Sequence, residues 1–179
     1  DVVHAFPHKF RIVALAAGKN TDLLTKLIKE FKPRFVYCQD KGAQARLTNI
    51  EREFMPPEDI ASHPLVSTVV VATPGKSGLT PTLAAVKAGK KVCLANKESL
   101  VMAGKIITEE AKLNGAQILP IDSEHSAIWQ CLNSEKQKAA QLILTASGGP
   151  FRHYSPVKLK KVTVEQALRH PSWQMGKKV

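Results

Sequence analysis

Residues 66–98 read VSTVVVATPGKSGLTPTLAAVKAGKKVCLANKE, and this stretch decides the fold. Val66–Ala72 is an apolar, β-branched run of strand length. Thr80-Pro81 then reads as a helix start, with Thr as N-cap and Pro at the first helical position, and Gly89 ends that helix. Lys91–Ala95 is a second apolar run of strand length. A strand, a helix and a strand joined this closely form a crossover unit, which places the two strands parallel.

The alternation continues in both directions. Upstream, Phe10–Ala17 is expected as a strand stopped by Gly18. Thr21–Phe31 follows as a helix with Leu23, Leu24, Leu27, Ile28 and Phe31 on one face and Pro33 just past its end, and then Arg34–Cys38 as a strand. Residues 40–62 are polar and contain Pro56-Pro57, so only a short helix over Ala43–Thr48 is expected there. Downstream, the pattern predicts a helix over Gly104–Leu113 closed at Asn114-Gly115, a strand Gln117–Ile121, a helix from about Glu124 to Leu132, and a strand Leu142–Ala146. The fold class is α/β with a mostly parallel sheet.

Composition agrees with a packed chain. Of 179 residues, 44% are hydrophobic and 23% charged, which excludes a disordered polypeptide. No apolar run reaches the roughly 18 residues of a membrane helix, so no membrane partner is expected. Three cysteines, Cys38, Cys93 and Cys131, are odd in number and far apart, which excludes a disulfide framework or a paired-cysteine zinc site and suggests a reducing compartment. The net charge of +11 asks for an anionic partner. From Lys136 onward nine basic residues face one acid, Glu165, so the last quarter carries +8 of that charge. This tail has neither an arginine- or aromatic-rich pattern nor a recognition motif, so no nucleic-acid partner is expected, although a basic nucleic-acid-binding module is the rival outside the enzymes. Asp1-Val2-Val3 reads as the last turn of a helix begun upstream, and 175–179 stop without a closing element, so a piece of a longer protein is expected.

Ligands of parallel α/β sheets bind beyond the carboxyl ends of the strands. The residues at those ends are Gly18-Lys19-Asn20, Thr73-Pro74-Gly75-Lys76, Asn96-Lys97-Glu98, Asp122-Ser123-Glu124 and Ser147-Gly148-Gly149. They are cations, carboxylates and small hydrogen-bonding groups, which makes one rim of the sheet the candidate site. Asp122 and Glu124 are two hard oxygen donors at i and i+2, suited to Mg²⁺ or Mn²⁺, although Asp122 taken alone reads as well as a helix cap. Lys97 can anchor an anion or protonate an oxygen, with Glu98 orienting it; the plainer alternative is a salt bridge opening a helix. Lys19 and Asn20 favour a 2′-phosphate where an acid would favour a free ribose hydroxyl, against a plain turn. Gly75-Lys76-Ser77 is not a P-loop, because the first glycine of that motif would fall at Val70. Ser147-Gly148-Gly149 offers a hydroxyl and bare amides to a phosphate, or is simply a tight turn. His4, His8, His63 and His153 are expected at the surface, Trp129 in the core, and Trp173 on a lid.

Taken in order, the segments 16–20 (AAGKN), 94–98 (LANKE), 122–128 (DSEHSAI), 144–151 (LTASGGPF) and 170–178 (HPSWQMGKK) resemble the 1-deoxy-D-xylulose 5-phosphate reductoisomerase family over the whole chain, most weakly from Gln39 to Ser62. The resemblance implies a Rossmann-like dinucleotide-binding domain over 1–121, incomplete at its N-terminus. The start of an α+β catalytic domain over 122–179, with a flap at 170–178, would follow it. It implies NADPH and a divalent cation (Mg²⁺ or Mn²⁺) as cofactors, a phosphorylated sugar as substrate, and a homodimer. The implied reaction makes 2-C-methyl-D-erythritol 4-phosphate for non-mevalonate isoprenoid synthesis, in the cytoplasm of a bacterium or in a plastid-type organelle. Asp122 and Glu124 would bind metal. Lys97, Ser123, Glu124, Ser147, His170 and Trp173 would meet substrate, with Met175 beside Trp173 on the flap. Gly18, Lys19, Asn20, Asn96, Glu98 and Gly176 would line the cofactor site. The Gly-rich loop and a third metal carboxylate fall outside the chain, so the chain alone is expected to be inactive. The rival among enzymes is another NADP-dependent reductase of the homoserine-dehydrogenase kind.

Overall fold

The structure, a computed structural model, describes residues 1–40, 42, 47, 52–133, 139–145 and 148–169. The chain divides into two compact units, Asp1–Asp122 and Ser123–Val179.

In the first unit, α1 (Val2–Ala5) precedes β1 (Ala14–Ala17), α2 (Thr21–Phe31), β2 (Phe35–Cys38), β3 (Glu53–Phe54) and α3 (Pro57–Ser62). Then come β4 (Thr68–Val71), a 3₁₀ turn (Gly75–Gly78), α4 (Leu79–Lys87), β5 (Lys91–Leu94), α5 (Lys97–Leu113) and β6 (Gln117–Pro120). Among the described residues the strands form two three-stranded sheets, ordered β1-β2-β3 and β4-β5-β6, and every pairing is parallel. In the second sheet the register runs Val71 to Leu94 to Pro120, so the three strands end level with one another.

Burial explains the elements. In the first sheet Leu24 and Ile28 of α2 pack with Val36, Cys38 and Leu47. Leu23 lies off that face and is half exposed, contrary to the expected stripe. Lys32 ends α2 in the left-handed conformation (φ 46°), and Pro33 prevents the helix from continuing. In the second sheet Val71, Val92 and Leu94 meet Ala85 and Val86 of α4 and Ile107 and Ala111 of α5. Full burial of an aliphatic side chain such as Ile107 stabilises the fold by roughly 1.5–3 kcal/mol.

Several expected boundaries move. The strand expected over Phe10–Ala17 is confined to Ala14–Ala17. Helix α4 begins at Leu79, so Thr80 is not its cap, and Pro81 sits in the first turn, where no N–H is required of it. Helix α5 begins at Lys97 rather than Gly104, and a non-helical Ala103 (φ −143°, ψ 29°) kinks it where a new helix was expected to start. β3 and α3 lie in the stretch read as polar connection; the short helix expected over Ala43–Thr48 lies, apart from Leu47, outside the described residues. His63 is half-buried rather than a free surface position, its ring 4.4 Å from that of Phe35.

The second unit contains α6 (Ser123–Asn133), α7 (Pro156–Leu159) and α8 (Val164–Leu168), none with a buried residue. Thr163 and Gln166 cap α8 reciprocally. Trp129, expected in the core, is 40% exposed. The strand expected over Leu142–Ala146 is absent from its described part, 142–145, where Leu142, Ile143 and Leu144 are all exposed. An apolar run becomes a strand only when a ladder partner satisfies its backbone, and no described residue pairs with it. Among the described residues no helix is long and apolar enough to cross a membrane.

Candidate active site

The level ends of β4, β5 and β6 bring three connections together at one edge of the second sheet. The amides of Ala95 and Asn96 both donate to the carbonyl of Val71 (2.9 and 3.1 Å), and the Ile121 amide donates to that of Leu94 (3.1 Å). These bonds carry the sheet register into the connections that follow. Lys97 opens α5 there, and its Nζ donates to Asp122 Oδ2 at 2.6 Å. The Asp122 side chain is only 15% exposed, whereas that of Lys97 is 48% exposed. An ammonium reaching solvent beside a sheltered carboxylate can hold an anionic oxygen while remaining charge-balanced.

Asn96 caps α5, its Oδ1 accepting from Ser99 N at 3.0 Å. The side chain is buried among protein partners, so it borders the rim without facing outward. Glu98 lies half-buried in the first turn of α5, where a carboxylate interacts favourably with the helix dipole.

At the end of β1, Gly18 is half-buried, and Cys38 Sγ donates to its carbonyl at 3.5 Å. Lys19 and Asn20 are exposed. Asn20 Oδ1 accepts from Leu23 N at 3.2 Å, capping α2. Among the described residues Lys19 takes part in no ion pair, so its ammonium is available to an anion.

In the second unit Ser123 Oγ donates to Glu124 Oε2 at 3.0 Å, and both residues are exposed, as is His125. Gly148 and Gly149 adopt φ 76° and 63°, the left-handed region that favours glycine. Ser147, His170, Trp173, Met175 and Gly176 lie outside the described residues. No group of three or more His, Cys, Asp or Glu residues able to hold a metal occurs among the described residues. Asp122, at the end of the first unit, and Glu124, in the second, each carry a carboxylate, the donor type that a hard divalent cation takes. Burial pushes the Cys93 thiol up, the opposite of what activates a nucleophilic cysteine.

Sequence reading placed Thr73–Lys76 on this rim but missed Gly78 as a structural part of it. The signal was available in the spacing of Gly75 and Gly78 just after a strand.

Fold and rim together define a class: a Rossmann-like parallel α/β protein with a polar sheet edge built around Lys97 and Asp122. Family models agree on the particular member. The model for 1-deoxy-D-xylulose 5-phosphate reductoisomerase matches residues 1–104, and that for the 1-deoxy-D-xylulose 5-phosphate reductoisomerase C-terminal domain matches 118–179. The chain belongs to the 1-deoxy-D-xylulose 5-phosphate reductoisomerase family.

It is 45% identical over its whole length to a protein of that name from Geobacillus sp. (strain WCH70), covering 49% of that relative. It is 46% identical to the chloroplastic protein of that name from Mentha piperita, covering 40% of it. A crystal structure of DOX-P reductoisomerase with NADPH, fosmidomycin and magnesium superposes with TM-score 0.85 at 37% identity, over 98% of this chain and 48% of the other. The Zymomonas mobilis enzyme in complex with NADPH gives 0.84 at 33% identity, over 96% of this chain and 47% of that one. The chain thus spans about half the length of the relatives it matches or less.

Proposed function

We propose that the protein converts 1-deoxy-D-xylulose 5-phosphate to 2-C-methyl-D-erythritol 4-phosphate, with NADPH as reductant and Mg²⁺ or Mn²⁺ as the required cation. The observation that carries this reading is the Lys97–Asp122 pair, 2.6 Å apart at the carboxyl edge of a parallel sheet, in a chain of this family. Asp122 and Glu124 are the metal carboxylates, and the cation, when bound, supplies Lewis-acid stabilisation of charge developing on substrate oxygens. Lys97 adds a fixed positive charge next to those oxygens and orients the substrate. Ser123, Ser147 and His170 bind the rest of the phosphorylated sugar, and Trp173 closes over it to exclude water. Gly18, Lys19 and Asn20 take the 2′-phosphate end of NADPH, which the exposed ammonium of Lys19 supports. Asn96, Glu98 and Gly176 border the rest of the cofactor. Residues 1–121 form the NADPH-binding part and 122–179 the start of the catalytic part, and the working assembly is a homodimer.

The test is oxidation of NADPH by the full-length protein that contains this chain on addition of 1-deoxy-D-xylulose 5-phosphate, with and without a chelator. Turnover that stops on chelation and returns with Mg²⁺ or Mn²⁺ supports the reading. Reductase activity toward another carbonyl substrate, indifferent to chelation, rejects it in favour of a metal-free NADP-dependent reductase.

A further inference from the structure

Three polar residues are buried among the described residues, Thr82, Asn96 and Ser99, and all three belong to one joint. Asn96 is 1% exposed, and its amide uses its full hydrogen-bonding capacity inside the protein. Its Nδ2 donates to the carbonyls of Thr73 (2.6 Å) and Gly75 (2.9 Å), across the gap from β5 to the turn after β4. Its Oδ1 accepts from the Ser99 amide at 3.0 Å and from the Ser99 hydroxyl. Carbonyls on one side and an N–H on the other fix the orientation of the amide.

Gly78 seats this side chain from the opposite direction. A Cβ on Gly78 would lie 2.5 Å from Asn96 Cγ, 2.6 Å from Oδ1 and 2.8 Å from Nδ2, closer than atoms can approach. Its backbone is ordinary (φ −82°, ψ −16°), so glycine is needed here for space and not for conformation. Thr82 Oγ1 donates to the Gly78 carbonyl at 2.6 Å and ties the same turn to α4.

We infer that Asn96 and Gly78 form an interlock that positions the cofactor rim, with Asn96 acting as a positioning residue and not as a ligand through its side chain. The amide fastens the 73–78 turn, which carries the exposed Lys76, to the start of α5, which carries Lys97 and Glu98. The two neighbouring strand ends thereby become one rigid frame. This inference rests on the cofactor reading above for what the frame holds.

Four variants and one control test it in the active protein. Asn96→Asp keeps the oxygen that caps α5 but replaces the two donations to Thr73 and Gly75 by repulsion. Amide hydrogen exchange across 73–82 should rise while exchange in α2 stays unchanged. A displacement on this scale should cut kcat/KM for NADPH about a hundredfold. Gly78→Ala should give the same signature, because the new methyl evicts the amide. Combined with Asn96→Ala, it should be no worse than Asn96→Ala alone, since the methyl enters vacated space. Ser99→Ala removes one hydroxyl and leaves both donations intact, so exchange in the turn and NADPH affinity should stay within about twofold of wild type. Unchanged exchange across 73–82 in Asn96→Asp, unchanged kcat/KM for NADPH, or multiplicative losses in the double variant overturn the inference. Wild-type protein that does not bind NADPH overturns the cofactor reading instead, which separates the two failures.

Discussion

The first unit uses one motif at two strand ends, with different results. After β1, Asn20 caps α2 through a single bond to an amide three residues on, and both Asn20 and the preceding Lys19 are exposed. After β5, Asn96 caps α5 through the equivalent bond but is buried and also holds two carbonyls of the next connection. Neighbours make the difference. Among the described residues β1 pairs on one side only, whereas β5 pairs on both, with the β4 turn on one side and Asp122 on the other. A polar residue at a central strand end is recruited into the framework. The same residue after β1 stays exposed.

If the β4–β6 edge carries the chemistry and the β1 end the recognition, substitutions should separate accordingly. The largest effect is expected from Asp122→Asn or Glu124→Gln, which should lower turnover by about 10²–10³ or more and weaken activation by Mg²⁺ or Mn²⁺ while NADPH still binds. Variants that keep wild-type metal dependence and only melt earlier would assign both carboxylates to folding.

Next comes stability. Asn20→Ala should cost about 0.5–2 kcal/mol, as loss of a surface cap does. Asn96→Ala strands buried partners and should cost about 3 kcal/mol or more, since each unsatisfied group costs roughly 1–3 kcal/mol. Urea unfolding of the two variants checks this, and equal losses would erase the distinction drawn between the two ends.

A smaller and selective effect is expected at Lys19. Lys19→Ala should weaken NADPH binding about tenfold, the size of one charge-assisted hydrogen bond, and leave NADH nearly untouched. Matching losses for both cofactors would show that the β1 end does not read the 2′-phosphate.

The smallest signal is optical. Trp129 is partly solvated, so its emission adds background to any ligand response. Trp129→Phe should isolate a change from Trp173 when substrate or a phosphonate analogue binds, and Trp173→Ala should abolish it. A response that survives in Trp173→Ala would place the reporter elsewhere.

Much of the first unit was legible because its signals are local. Helix α2 is bounded as expected, since Thr21–Phe31 has an apolar period on one side and Pro33 at its end. Strands β4, β5 and β6 follow from short, mostly apolar runs. Illegible parts depend on contacts far away in sequence. A helix opening at Lys97 was only the alternative reading, and Gly104 was taken as the start because the non-helical Ala103 beside it mimics a fresh start. Glu53–Phe54 is a strand only because Phe35 and Val36 pair with it. At the site, residue types at strand ends picked out Lys97 and Asp122, but no spacing rule foretold that Lys97 would reach Asp122 across 25 positions. Nor could spacing reveal that the Asn96 side chain turns inward, because that depends on the absent Cβ of Gly78.

The uniformly parallel pairing has a consequence for how the protein comes to be folded. Paired residues are separated by between 18 positions, from Phe35 to Glu53, and 26, from Lys91 to Gln117. No hairpin exists among these pairings from which the sheet could grow by neighbour-to-neighbour zipping. Each ladder forms only after a connection of that length has closed, at an entropic cost that precedes any reward. The smallest piece able to nucleate is therefore a whole strand–helix–strand unit. Residues 68–94 qualify best, since there α4 can shield Val71, Val92 and Leu94 from water as the two strands meet.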